Sequence, residues 1–241
     1  MQPIYPGEIF RSPKNLSFFA ITGLALIAVT DVIAVFVGFG QVANPTWSVS
    51  LDDVSPSSAW LLIQSFVYLL KAPLYLFTIV VFLIWLYRAN TNLTPLRAST
   101  REYSAGWAVG WWFIPFANLV KPFQVVREVW CESDPNVADE PLFLSASLRS
   151  APGFMAAWWA FWILSNIASN INSRVFDPDN IDTVFASGIL FAITGTLSAI
   201  AALFAIRIVR DISLRQDARF QNLQMAGVYT PPPPPTFGSG M

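Results

Sequence analysis

Histidine is absent from the 241 residues, and Cys131 is the lone cysteine. The first absence removes His-based triads, His-ligated zinc and imidazole proton shuttles together. The second removes any disulfide framework within the chain. Charge is scarce as well: 12% of residues are charged, against about 25% in an average soluble domain. The formal net charge is -1, so there is no basic face for nucleic acid. No nucleophile–base pair stands out, and no cofactor or metal set is implied. The chain therefore reads as non-enzymatic.

What the chain has instead is apolar sequence in long blocks. Hydrophobic residues make up 54% and aromatics 15%, and a span needs about 20 apolar residues. Four blocks qualify, at 16–40, 59–87, 153–171 and 183–208. The first is too long for the apolar region of a signal peptide, about 7–15 residues. The second carries Pro73 near its middle, where a missing backbone donor favours a kink. The third crowds Trp158, Trp159 and Trp162 near its start, and the fourth is rich in Ala, Gly, Ser and Thr. The expected fold is an all-α integral membrane protein with four transmembrane helices. Residues 1–15 read as a short flexible tail. Residues 221–241, with prolines at 231–235, read as a disordered or polyproline II tail.

Between the second and third blocks lies 106–130, GWAVGWWFIPFANLVKPFQVVREVW. Gly106 through Pro115 is ten residues, about 15 Å of helix, too short to cross. Pro115, Asn118 and Pro122 break up the remainder of the stretch. Gly106 and Gly110 have the spacing that lets another helix approach closely. Leu119, Val120, Phe123, Val126 and Trp130 recur at helical spacing, with Lys121, Arg127 and Glu128 elsewhere around the turn. This predicts a re-entrant or interface-lying element, around which Trp107, Trp111 and Trp112 cluster.

That stretch, with WLYRANTNL at 85–93, resembles an uncharacterised bacterial family, common in actinobacteria, catalogued as domain of unknown function 4328. The resemblance rests on the GW…WWF-P-NL–KP-QV–E-W pattern. It implies a multi-pass membrane protein with a Pro-rich tail, and it brings no activity, substrate or catalytic residue.

The orientation comes from Lys and Arg near the spans. With four spans and 106–130 returning to its own side, all 14 cations except Lys71 and Arg174 fall on the side of both termini. Both termini are therefore expected in the cytoplasm of a cell with this protein in its inner membrane. All ten tryptophans except Trp47 and Trp60 fall on that half. Asp31 and Lys71 are the charges well inside spans, about 13 Å and 18 Å from the outer ends by helix rise. Consecutive antiparallel helices let them meet, as a register-fixing ion pair or as part of a polar path. Asn166, Ser169, Asn170 and Ser173 share one face of the third span, as interhelical glue or an outward vestibule. The first functional expectation is a scaffold or accessory subunit. Its partners would be the lipid bilayer and a protein reached through the Pro-rich tail or the Trp-rich cytoplasmic layer. The alternative is a small transporter or channel-like protein using Asp31, Lys71, Asn166 and Asn170.

Overall fold

A computed structural model of the chain describes residues 9–43, 56–98, 101–136, 151–175, 177 and 180–228. Trp47, Asp52, Asp53, Asp139, Glu140 and the prolines at 231–235 lie outside the described residues. Among the described residues every regular element is helical. They are α1 (Lys14–Ala43), α2 (Pro56–Thr91), α3 (Ala105–Gly110), two 3-10 turns (Trp111–Phe113 and Ala117–Leu119), α4 (Lys121–Glu132), α5 (Gly153–Val175) and α6 (Ile181–Met225).

Among the described residues, three helices are long and apolar enough to cross a membrane, through Lys14–Gly40, Leu69–Thr91 and Asp182–Met225. α5 is not one of them by composition. Its 23 residues are long enough, but Asn166, Ser169, Asn170, Asn172 and Ser173 dilute its apolar character. Pro73 lies inside α2 without ending it.

The chain divides into two units. The first comprises Leu16–Ile84 and Pro152–Arg210. Beside large buried side chains such as Phe82, Met155, Trp158 and Ile208, small residues recur at its helix contacts and large apolar ones face outward. Ala20, Ala34, Ala192, Ala201, Ala202 and Ala205 are buried, while Phe36, Leu69, Leu76 and Leu203 are exposed. Small residues at helix contacts and large apolar residues outward are what a hydrocarbon solvent selects. Two glycines come closest to the backbone of another helix. A Cβ on Gly38 would stand 2.7 Å from the Gly188 carbonyl oxygen, and one on Gly195 would stand 2.8 Å from that of Asp31. Phe154 and Phe161 of α5 stack on Phe204 of α6 at centroid distances of 6.4 and 6.2 Å.

The second unit comprises Met1–Asn15, Trp85–Ala151 and Asp211–Met241. Its apolar interior includes Trp85, Leu86, Leu93, Val125, Val126, Val129 and Ile212. Phe10 packs with Leu96 and Leu223, its ring 4.2 Å from that of Phe220. Residues 9–13 are thus held in place, contrary to the expectation of a flexible tail through 15. The Asn92 side chain reads the Arg11 backbone twice, accepting from its N–H at 3.3 Å and donating to its carbonyl at 2.9 Å.

Candidate functional site

Three groups of side chains could carry function. The first lies in the apolar unit. Lys71 Nζ donates to Asp31 Oδ1 at 2.5 Å, with the Asp31 side chain 0% exposed and that of Lys71 23% exposed. Tyr75 and Ser198 lie beside the carboxylate, and Asp31 Oδ2 has no hydrogen-bond partner among the described residues. The structure therefore brings together the two charges expected inside spans. It does not bring Asn166 and Asn170 to them. Those side chains are exposed and donate back to their own helix, Asn166 to the Trp162 carbonyl at 2.7 Å and Asn170 to the Asn166 carbonyl at 2.9 Å. Ser173 does the same toward Asn170 at 2.9 Å. The interior face of α5 is instead Met155, Trp158, Trp159, Ser165 and Ala168. A shared face at i, i+3, i+4 and i+7 does not say which way it turns, and spacing alone misled on this point.

The second group is the element at 106–130. Ser104 caps α3 by accepting from the Trp107 N–H at 3.5 Å, and the rings of Trp107 and Trp111 stack at 4.7 Å. Trp112 is half-buried in the adjoining 3-10 turn. Among the described residues the Gly106/Gly110 spacing has no helix to receive: a Cβ on Gly106 would meet nothing within 4 Å, and one on Gly110 only the Trp107 ring. Pro115 and Pro122 divide the stretch as expected. The chain folds back at Pro115–Ala117, and the Asn118 N–H reaches the Ile114 carbonyl at 2.9 Å. Phe116 there has φ 63°, a conformation that costs a bulky residue about 1–3 kcal/mol. Its side chain is 86% exposed and that of Phe113 is 70% exposed.

α4 is amphipathic, but its stripe differs from the expected one. Pro122, Val125, Val126, Val129 and Trp130 are buried, whereas Leu119 and Val120 are exposed. The helix begins only at Lys121, so the two residues before it do not share its face. Arg215 lies 4.6 Å above the Trp130 ring. Cys131 falls within this helix.

The ends of the element are pinned to each other. Lys121 Nζ donates to Tyr103 Oη at 3.3 Å and sits over the Tyr103 and Trp111 rings at 5.3 and 5.7 Å. Tyr103 Oη donates to Gln124 Oε1 at 2.9 Å. The Glu128 carboxylate accepts from the backbone N–H groups of Glu102 and Tyr103. Burial pushes the Glu128 carboxyl above its ordinary range, against the pull of those N–H donors. Burial also raises the Tyr103 phenol.

The third group was not anticipated from the sequence. Asn92 donates to Gln216 Oε1 at 3.0 Å, and Gln216 Nε2 donates to the Ala89 carbonyl at 2.8 Å and Ser133 Oγ at 3.1 Å. Arg219 donates to the backbone carbonyls of Glu132 and Arg97 at 2.7 and 3.0 Å. Arg101 reaches Asn90 Oδ1 at 2.8 Å and the Tyr103 carbonyl at 3.1 Å. Asn90, Asn92 and Gln216 are buried. The available signal was WLYRANTNL itself, where two asparagines succeed an apolar helix and close it.

Helices of this composition, with buried polar pairs and outward apolar side chains, define a helical membrane protein by class. The chain belongs to the family described as Domain of unknown function (DUF4328), which matches residues 50–214. That span includes α2 and the whole 106–130 element. No curated protein and no solved structure matches the chain.

Proposed function

We propose that the protein is a four-span scaffold or accessory subunit of the cytoplasmic membrane, non-enzymatic, with both termini in the cytoplasm. The fourth span is α5. Its 23 residues measure about 34 Å by helix rise, enough for a hydrocarbon core of about 30 Å. Its stacking on Phe204 within the apolar unit supports that reading. The element at 106–130 stays on its own side of the bilayer.

The observation that carries the scaffold reading is how the polar unit uses its hydrogen bonds. Arg219, Gln216, Asn92 and Arg101 are engaged with backbone carbonyls and one another. Groups used this way fix three separated chain segments in one arrangement. That builds a preorganised surface for another protein rather than a reactive cleft. A second reading, a small transporter, is favoured by one observation: the wholly buried Asp31 carboxylate with Oδ2 unpartnered among the described residues. It loses support from the outward turn of Asn166 and Asn170. The test is reconstitution in proteoliposomes beside purification in mild detergent. The scaffold reading expects ion and solute flux no greater than in empty vesicles and a stoichiometric protein partner. Flux abolished by Asp31→Asn would replace it with the transporter reading.

A further inference from the structure

We infer that the hairpin between Tyr103 and Lys121 is a preformed wedge whose tip, Phe113–Val120, inserts into the headgroup–acyl boundary of the bilayer. This deepens the membrane reading above and rests on it. The stem is closed by Lys121, Tyr103, Gln124 and Glu128, so the tip is a loop with paired ends. Its apolar side chains face outward among the described residues: Phe113, Ile114, Phe116 and Val120 are exposed together. The backbone at Phe116 is turned to positive φ, which presents that ring outward at the apex.

The occupant is lipid on three grounds. From Tyr103 to Arg127 the chain contains no Asp or Glu, and its charges are Lys121 and Arg127, which suit phosphate headgroups. The flanking acids lie at the stem and not at the tip: Glu102 before Tyr103, and Glu128, which is used on backbone N–H groups. The same chain carries three helices long and apolar enough for a bilayer, so a bilayer is its medium. The depth is limited. α3 has six residues, about 9 Å by helix rise, and the chain reverses at Pro115. The wedge therefore enters one leaflet and does not cross, which selects the interface-lying form over the re-entrant one.

The lone cysteine makes the test direct. In a Cys131→Ser background, nitroxide labels at Phe116→Cys and Phe113→Cys are compared with one at Leu76→Cys on α2 and one at Gln224→Cys near the end of α6. Leu76 and Gln224 are both exposed. The full chain is reconstituted in phosphatidylethanolamine–phosphatidylglycerol vesicles, and collision with oxygen is measured against collision with a water-soluble nickel chelate. At Phe116 and Phe113 the oxygen-to-nickel ratio is expected to be several-fold above that at Gln224 and to approach that at Leu76. A nickel-accessible tip with a lipid-facing Leu76 overturns the wedge and leaves the membrane reading intact. A tip shielded from both reagents overturns it in favour of a protein contact. Nickel access at Leu76 as well would defeat the membrane reading itself.

Discussion

At the scale of single residues, the Asp31–Lys71 pair was legible because two charges stand out in otherwise apolar blocks and helix rise places them at compatible depths. What a side chain does with its partner was not legible. Asn166 and Asn170 have the sequence positions of interhelical donors, yet each finds a carbonyl one turn back on its own helix. Removing one member of a buried ion pair leaves an uncompensated charge, at a cost of about 3–5 kcal/mol. Lys71→Met is therefore expected to lower the thermal midpoint in detergent sharply, toward the lower part of that range because the lysine is partly exposed. Asp31→Asn combined with Lys71→Met should recover most of the loss; a double variant as unstable as Lys71→Met would show that the pair is not what Lys71 contributes. Glu128 gives a second prediction, with the opposite sense from a salt-bridged acid. Its carboxyl is raised by burial, so the folded protein binds that proton more tightly than the unfolded chain does. Stability should fall as pH rises from the ordinary glutamate value, about 4.3, through the raised folded value, and then level off. Glu128→Gln keeps an oxygen for the Glu102 and Tyr103 N–H groups and should flatten that slope, as read from denaturation midpoints across the window.

At the scale of elements, helix existence came from apolar block length and the breaks came from proline. Pro115 and Pro122 divide 106–130 as their chemistry requires, since proline fixes φ and lacks the N–H a helix interior needs. The register of α4 was missed because periodicity counts residues without knowing where the helix begins. Small residues tell the same story. Gly106 and Gly110 have the small-residue spacing but no helix against them among the described residues, whereas Gly38 and Gly195, which have the same spacing with Ala34 and Ala199, lie against carbonyls of α6 and α1. A close approach depends on which helices become neighbours, a tertiary fact. Gly38→Val should therefore force α1 away from Gly188 and destabilise the protein by about 1–3 kcal/mol, the usual range for overpacking. Gly106→Val, with nothing within 4 Å, should change little beyond helix propensity. Thermal unfolding of the two variants side by side measures the difference.

At the scale of the whole molecule, the membrane class was legible in composition alone, because scarcity of charge and block-like apolar sequence leave few alternatives. The buried polar network was not, since Asn92 and Gln216 are 124 positions apart and no local pattern links them. Orientation depends on the number of crossings. If α5 and the three apolar helices all cross and 106–130 does not, the cations other than Lys71 and Arg174 share one side, as the positive-inside rule demands. If 106–130 crossed as well, Arg207, Arg210, Arg215 and Arg219 would face outward while Arg11 and Lys14 stayed inside, splitting the charge that normally sets topology. In the Cys131→Ser background, a cysteine placed after Pro235 should thus resist a membrane-impermeant maleimide in intact cells and react once the membrane is opened. A second cysteine at Ser173, beside Arg174 at the end of α5, should react without permeabilisation. Labelling of the tail in intact cells would overturn this arrangement, and a cysteine at Phe10 would then tell a fifth span at 106–130 (Phe10 protected) from an inverted four-span chain (Phe10 labelled).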